Sequence, residues 1–476
     1  MRLSTKALLA AMALPLAACG AAYDSGGVKS ASAGSAVQQK KAKNVILFIG
    51  DGMGISTVTA ARIYAGQKLG QTGEEYVLPF ETFENVALVK TYNTNAQVPD
   101  SAGTASAMNT GIKTQIGFLG IGPEAKRGDC ASGKAHEQAL LGEQAKARGL
   151  ALGIVSTARI THATPAAVYA RSTDRNWESD AAIPESQRSL GCDDIARQLV
   201  AADFDVALGG GRAAFFGADK GGRRLSAAAD LPAQWTARTG GSYVETASAM
   251  AAAPLDKPLL GIFSPSHMTY MVDRPADSSE PTLTDMTREA VKRLSQDPDG
   301  YYLMAESGRI DHGHHAGQAG YALEEAVEFA RAIQWAIDNT DPSETLILVT
   351  ADHSHVFSIA GYPRRGNDIL GLVVPPDGGG EDGGDTAGGP TLAADGKPYT
   401  TLSYANGPGA VATAPGRPTP ETGVKARQQS LVPLESETHG GEDVALYATG
   451  PGAERVRGVI EQNLIYRIIV KALGWE

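Results

Sequence analysis

Short apolar runs that end in an acidic residue occur three times in this chain, and this repetition constrains its fold more than any other feature. Asp51 comes just after the first run, Glu306 directly after the second, and Asp352 just after the third. Continuous apolar runs of this length are typical of strands buried on both faces of a sheet. Because ligands bind beyond the carboxyl ends of such strands, we expect the three carboxylates to meet at one site.

Apolar runs and segments of helical periodicity alternate along most of the chain. The runs lie at residues 45–49, 150–155, 205–208, 301–305, 346–349 and 444–448. Helices are predicted over residues 136–148, 194–202, 286–295 and 321–339, and from about residue 456 almost to the end. The alternation predicts an α/β fold around a mostly parallel central sheet. Residues 375–426 are rich in Gly, Pro and Thr, so we predict an inserted irregular lobe there.

The amino-terminal segment is typical of an export signal. Arg2 and Lys6 form a charged start, and the apolar stretch at residues 7–16 is too short to span a membrane. Residues 16–19 (Leu-Ala-Ala-Cys) resemble a bacterial lipobox, in which the cysteine is lipidated and becomes the new amino terminus. We predict a lipoprotein signal peptide at 1–18, a lipid anchor on Cys19, a flexible tether at 19–43 and a globular domain at 44–476. A plain secretory signal is the alternative.

The cysteines and the net charge limit the compartment and the partners. If Cys19 carries lipid, Cys130 and Cys192 remain, and outside the cytoplasm such a pair can form a disulfide. Two separate free thiols are the alternative. The net charge of −11 argues against nucleic-acid binding through phosphates. An anionic substrate would therefore need local positive charge, which bound metal ions can supply.

Histidine and aspartate cluster in two short segments of this chain. Five of the nine histidines fall within residues 311–315 and 352–355, where each segment also begins with an aspartate. Imidazole nitrogen and carboxylate oxygen are ligands that zinc accepts. Asp311 and His315 are four residues apart, so a helical turn would put them on one face. Two such clusters favour metal binding over a solvated loop, which is the alternative.

A serine followed by small residues marks a candidate site for attack on phosphorus. Ser101 would begin a closely packed helix, whose unpaired N–H groups favour an anion. A cation that lowered the pKa of its hydroxyl would make Ser101 a nucleophile. The alternative is that Asp100 or Ser101 only caps the helix. Arg175 is a second candidate, because a guanidinium can hold two phosphate oxygens in parallel.

Taken together, these segments closely resemble the alkaline phosphatase family. The resemblance runs from about residue 44 to residue 474. It rests on the motifs NVILFIGDGMG (44–54), PDSAGTA (99–105), ESGRIDHGHH (306–315), TADHSH (350–355) and ETHGGEDV (437–444).

The resemblance implies hydrolysis of phosphate monoesters with two zinc ions and one magnesium ion. Ser101 would form a phosphoserine intermediate, and Arg175 would clamp the phosphate oxygens. The implied metal ligands are Asp311, His315 and His439 for the first zinc ion, Asp51, Asp352 and His353 for the second, and Asp51, Thr164 and Glu306 for magnesium. It also implies a three-layer sandwich and a homodimer. For this chain, we expect export to the periplasm or outer membrane.

Two features resemble the animal-like branch of the family. His162 and His312 stand where some bacterial members have Asp and Lys, so we expect both beside the metal ligands. The spacing of Cys130 and Cys192 resembles a disulfide of that branch. Ser264 stands where the branch has an acidic ligand for calcium, and we therefore do not predict a calcium site.

Two kinds of rival function can be compared with this one: another enzyme of the same superfamily, and a protein that is not an enzyme. A related sulfatase would resemble Cys or Ser followed by x-Pro-x-Arg, which residues 101–105 do not match. A phosphodiesterase usually has threonine as its nucleophile and lacks the full set of Ser101, Arg175 and Glu306. A non-enzymatic lipoprotein that stores zinc or captures phosphate would need the ligands but not Ser101.

Overall fold

The computed structural model describes residues 40–378, 389–411 and 416–476. The predicted signal peptide, the lipidation site Cys19 and most of the predicted tether lie outside these ranges. Ala42 is already buried, and its N–H donates to the carbonyl of Ala472 at 2.8 Å. Ala42 thus packs against the globular domain, and the tether limits of 19 and 43 stay a prediction. None of the helices in the described ranges is both long and apolar enough to cross a membrane.

Strands form one large sheet and two small ones. Their bounds are β1 Asn44–Gly50, β2 Asn85–Lys90, β3 Ala151–Arg159, β4 Val206–Gly210, β5 Ser242–Val244, β6 Leu259–Ile262, β7 Tyr301–Ser307, β8 Thr345–Ala351, β9 Ser354–His355, β10 Phe357–Ile359, β11 Leu402–Gly407, β12 Ser430–Pro433, β13 His439–Gly440, β14 Val444–Thr449 and β15 Gly458–Glu461. The ten-stranded sheet has the order β15-β2-β14-β8-β1-β7-β3-β4-β6-β5. Only β14 runs against its neighbours, so the prediction of a mostly parallel sheet is confirmed.

Helices cover both faces of the large sheet. Their bounds are α1 Ile55–Lys68, α2 Ser101–Thr110, α3 Cys130–Lys134, α4 Leu141–Ala147, α5 Ala163–Ala166, α6 Glu185–Arg188, α7 Ile195–Ala201, α8 Leu231–Thr239, α9 Ala247–Ala252, α10 Leu283–Leu294, α11 Arg309–His315, α12 Ala319–Asn339 and α13 Leu464–Ala472. Successive strand residues point to opposite faces. On β3, Leu152 approaches Gly142 of α4, whereas a Cβ on Gly153 would meet Leu294 of α10 at 2.6 Å. These contacts establish three layers.

Two predicted helices differ from the observed elements. The segment predicted as a helix over 136–148 is helical only at Leu141–Ala147, because Gln138 donates its backbone N–H to Gly120 in another segment. The carboxyl-terminal helix begins at Leu464 rather than near 456, because Gly458–Glu461 pairs with β2 at the sheet edge. In both places, pairing with a distant segment overrides the local periodicity.

The segment between β8 and β14 leaves the large sheet. Among the described residues, its strands form the three-stranded sheet β10-β11-β12 and the two-stranded sheet β13-β9. This arrangement agrees with an excursion from the main sheet, and the lobe limits of 375 and 426 stay a prediction.

Candidate active site

Three neighbouring strands bring their carboxylates to one edge of the sheet. β1 lies between β7 and β8, and Gly50 is in register with Ser307 on one side and Ala351 on the other. Asp51 and Asp352 therefore follow adjacent strand ends, and Glu306 lies beside them at the end of β7. All three side chains are fully buried. The predicted convergence of these carboxylates is confirmed.

These carboxylates are buried without enough positive charge to balance them. Burial, followed by repulsion from Asp352, raises the pKa of Asp51 well above its ordinary value. Burial also raises the pKa of Glu306 to about 7, although a hydrogen bond from Ser156 lowers it. Each of the three carboxylates at this site has one oxygen without a hydrogen-bond partner: Asp51 Oδ2, Glu306 Oε1 and Asp352 Oδ2. Buried acceptors of this kind are rare, and bound cations would satisfy them.

The first predicted zinc set is assembled around Asp311 Oδ1. His315 Nε2 lies 3.2 Å from this oxygen, His439 Nε2 lies 3.3 Å from it, and the two nitrogens are 3.1 Å apart. Ligand atoms of a tetrahedral zinc ion with bonds of about 2.0–2.1 Å stand about 3.3 Å apart. The Nδ1 atoms of the two histidines face the carbonyls of Glu437 and Pro99, so each Nε2 is left free for a metal.

The second predicted zinc set lies next to the first. His353 Nε2 is 3.4 Å from both Asp51 Oδ1 and Asp352 Oδ2, and the His353 ring stacks on His439 with centroids 3.6 Å apart. Asp51 also belongs to the predicted magnesium set, where Thr164 Oγ1 is buried without a hydrogen-bond partner. The residues present thus fit adjacent metal ions, with Asp51 shared between two of them.

Ser101 is the first residue of α2 and points at the second metal set. Its Oγ lies 3.2 Å from His353 Nε2 and 3.5 Å from Asp51 Oδ1. Asp100 caps the helix instead, because its side chain accepts the N–H of Gly103 at 3.0 Å. Asp100 therefore takes the capping role, and the Ser101 hydroxyl faces His353 and Asp51 instead of the helix N–H groups.

Arg175 lines the same cavity as Ser101. Its Nη1 donates to Asp100 Oδ2 at 3.0 Å, and its Nη2 lies 3.1 Å from His162 Nε2. The cavity has a volume of about 310 Å³ and is lined by Ser101, Arg159, His162, Arg175, Asn176, Glu178, Asp311, His312, His315 and His439. No apolar side chain lines it, which suits a small, highly polar ligand.

The two predicted neighbours of the metal sites, His162 and His312, lie in a cluster with a third histidine. The His267 ring is 4.0 Å from that of His312 and 5.3 Å from that of His162, between ring centroids. His162 also offers a ring nitrogen near Asp51 and Glu306. Sequence reasoning missed His267, which stands alone after β6 with no motif around it.

The lowered pKa of His267 predicts how pH affects stability. Burial first, and then the charges of His312 and Arg159, lower the pKa of His267 far below its ordinary value. Below about pH 6.5 the unfolded chain binds this proton and the folded chain does not, so acid favours unfolding by up to about 1.4 kcal/mol per pH unit. With a chelator present, we expect the free energy of unfolding to fall more steeply from pH 6.5 to 5 for wild type than for His267→Asn. Parallel pH curves from chemical denaturation would contradict this.

Sequence reasoning also left three buried groups near the ligands without a role. Ser156 donates its hydroxyl to Glu306. His355 lies between two carboxylates, with Nε2 2.8 Å from Asp311 Oδ1 and Nδ1 2.6 Å from Glu437 Oε2. Although burial lowers the pKa of His355, these carboxylates raise it to about 10. His355 and Glu437 lie in the motifs at 350–355 and 437–444. The contact between them joins positions 82 residues apart in the chain, so neither motif by itself predicts it.

Cys130 and Cys192 form a disulfide, with Cα atoms 5.8 Å apart. The alternative of two free thiols is therefore wrong. The bond joins the start of α3 to the segment before α7, and the loop that carries Arg175 lies between these elements in sequence.

The sequence comparisons match this chain to alkaline phosphatases. The sequence model of the family described as alkaline phosphatase matches residues 42–475. Tissue-nonspecific alkaline phosphatase from Gallus gallus is 44% identical over 452 residues, which cover 90% of this chain and 84% of that protein. The tissue-nonspecific isozyme from Homo sapiens is 42% identical over 456 residues, with 90% and 83% covered. These similarities agree with the expected animal-like branch.

Solved structures share the fold. Alkaline phosphatase from Thermus thermophilus superposes with a TM-score of 0.67 at 23% identity, covering 92% of each chain. The enzyme from the Antarctic bacterium TAB5 gives a TM-score of 0.63 at 23% identity, covering 92% of this chain and all of that one. The predicted three-layer α/β architecture is thereby confirmed.

Proposed function

Because this chain belongs to the alkaline phosphatase family and hydrolyses phosphate monoesters, we propose that Ser101 is its nucleophile and is phosphorylated during each turnover. One observation carries the proposal. The Ser101 hydroxyl lies 3.2 Å from His353 Nε2 and 3.5 Å from Asp51 Oδ1, in the cavity that Arg175 also lines. The proposed nucleophile, the phosphate clamp and the cation ligands therefore line one cavity. A protein that only stored zinc or captured phosphate would not need a nucleophile there.

Divalent metal ions are part of the family's chemistry, and we assign them here as two zinc ions and one magnesium ion. Both sets that include imidazole, one around Asp311 and one around His353, suit zinc, whereas the all-oxygen set of Asp51, Thr164 and Glu306 suits magnesium. Bound zinc would lower the pKa of the Ser101 hydroxyl and of the attacking water, and would offset charge on the attacking and leaving oxygens.

The chain's own residues then carry out two displacements at phosphorus. Ser101 Oγ loses its proton and bonds to phosphorus, the bond to the leaving oxygen breaks, and the alcohol departs with a proton. Arg175 still has N–H groups beyond those bonded to Asp100 and His162, and they hold the equatorial oxygens of the phosphoryl group. Water then breaks the bond between Ser101 Oγ and phosphorus, which releases inorganic phosphate and restores the serine hydroxyl.

The cavity favours a broad set of leaving groups. Its lining is polar throughout, and its volume is about 310 Å³. Without an apolar pocket, the alcohol part of the substrate contributes little binding energy. We propose that the enzyme acts on many small phosphate monoesters, with slower activity on diesters.

Trapping the phosphorylated enzyme tests the proposal. We expect wild type mixed with a chromogenic phosphate monoester and quenched in acid to carry one phosphoryl group on the peptide that contains Ser101. Peptide mapping by mass spectrometry locates the group, and Ser101→Ala processed in parallel should show none. A phosphoryl group on any other residue, or an unmodified enzyme during rapid turnover, would contradict the assignment.

We also propose that the enzyme is exported, anchored through lipid on Cys19 in the periplasm or outer membrane, and dimeric. The disulfide supports an oxidising compartment. Val86 and Leu88 of β2 and Val459 of β15 are exposed on one face of the sheet edge, which supports self-association. Light scattering that gives the mass of one chain would overturn the dimer. A Cys19→Ser variant that stays in the membrane fraction would overturn the lipid anchor on Cys19.

A further inference from the structure

The buried carboxylate of Glu437 lies behind the first metal set and is not one of its ligands. We propose that Glu437 is a positioning residue, which fixes Asp311 through His355 and fixes His315 through its own backbone. Zinc at this site would then be held tightly only when Glu437 is present. The inference rests on the proposed zinc assignment and gives a role to two residues that the mechanism leaves unused.

The side-chain route consists of three hydrogen bonds. Glu437 Oε1 accepts the N–H of Val356 at 2.9 Å, and Oε2 lies 2.6 Å from His355 Nδ1. The opposite ring nitrogen of His355 lies 2.8 Å from Asp311 Oδ1. Because the side chains of Glu437 and His355 are fully buried, no water competes for these bonds. The ring is held at both ends and restricts Asp311 to one orientation.

The backbone route reaches a second ligand. The carbonyl of Glu437 is 2.6 Å from His315 Nδ1, and the N–H of Glu437 donates to the carbonyl of His315 at 3.0 Å. With Nδ1 holding the proton, the lone pair of His315 is on Nε2 and faces Asp311. Two residues further on, His439 pairs with His355 between β13 and β9. Glu437 therefore contacts α11, lies beside β13 in the chain and is bonded to His355 of β9, so it joins the two segments that supply the first metal set to a third.

Packing by itself does not account for a carboxyl group at this position. Glu437 is the fifth buried carboxyl group at this end of the sheet, after Asp51, Glu306, Asp311 and Asp352. Glutamine would keep nearly the same volume, but it has one acceptor oxygen where glutamate has two. Its amide could therefore accept from Val356 or from His355 Nδ1 but not from both, so the contacts that hold the ring in this orientation change.

The test compares Glu437→Gln with Glu435→Gln. Glu435 lies two residues earlier and is exposed, so its variant removes the same charge without touching the metal set. From competition with a chromogenic chelator, we expect Glu437→Gln to weaken one zinc site by about 10- to 100-fold and to leave the other unchanged. Glu435→Gln should match wild type at both sites.

Cobalt substitution gives a readout that does not depend on turnover. The visible bands of cobalt at the first site should shift in Glu437→Gln, because the orientation of Asp311 changes, and should not shift in Glu435→Gln. Zinc affinity within twofold of the control, with unshifted bands, would overturn the proposal. Should Glu437→Gln fail to fold, Glu437→Asp keeps the charge but shortens its reach, and wild-type affinity in that variant would equally overturn it.

The two proposals can fail separately. If the phosphoryl group is trapped elsewhere than Ser101 but Glu437→Gln still weakens zinc, the positioning role stands and the nucleophile assignment falls. If Ser101 is phosphorylated and Glu437→Gln leaves zinc affinity unchanged, the nucleophile assignment stands and the positioning role falls.

Discussion

Ser101→Ala is expected to lower kcat for a chromogenic phosphate monoester by about 10³- to 10⁵-fold, because the covalent route closes. The metal ions and Arg175 remain, so a slower direct attack by water should persist. KM should change much less than kcat, since the clamp still binds the phosphoryl group. Steady-state rates with zinc and magnesium added after chelation provide the measurement.

Ser106→Ala is a matched control for this variant. Ser106 lies on the same helix, and its hydroxyl donates to the carbonyl of Phe118 at 2.9 Å rather than entering the cavity. We expect this variant to lose some stability and to keep kcat within a few-fold of wild type. A kcat for Ser101→Ala within tenfold of wild type would show that another group attacks phosphorus.

Removal of the metal ions should have the second large effect, on both activity and stability. We expect chelated enzyme to have no measurable activity and a lower unfolding temperature, and added zinc and magnesium to restore both. The physical reason is the burial of Asp51, Glu306 and Asp352, each of which has one oxygen without a hydrogen-bond partner. A metal present at about 1,000 times its Kd stabilises the folded chain by about 4 kcal/mol per site.

Calorimetry with and without metal checks the stability effect, and Ser101→Ala separates it from catalysis. That variant keeps all predicted ligands, so metal should raise its unfolding temperature as much as it does for wild type. Asp51→Asn should lose most of the gain, because Asp51 is shared between two sets. An unfolding temperature that does not respond to metal in wild type would refute the ligand assignment.

Local patterns in the sequence were enough to predict the strand ends and the chemistry placed there. Runs such as residues 45–49 contain no polar residue, which is typical of a strand buried on both faces of a parallel sheet. Asp51, Glu306 and Asp352 come within about three residues of the ends of such runs, so the position of each carboxylate depends on its own segment. The same holds for Asp311 and His315, whose spacing of four residues places both on one face of α11.

Contacts and strand pairings between distant segments could be identified only from the tertiary structure. The contact between Glu437 and His355, the His267 cluster and the pairing of β15 with β2 join segments far apart in the chain, and no local periodicity records them. It also assigned the helix cap to Asp100 and left Ser101 free, where the sequence allowed either residue to cap. The local sequence determines which secondary structure and which side chains each segment offers. Packing determines which local structures form in the folded chain, because charges and hydrogen-bond partners from distant segments come into contact only in the tertiary structure.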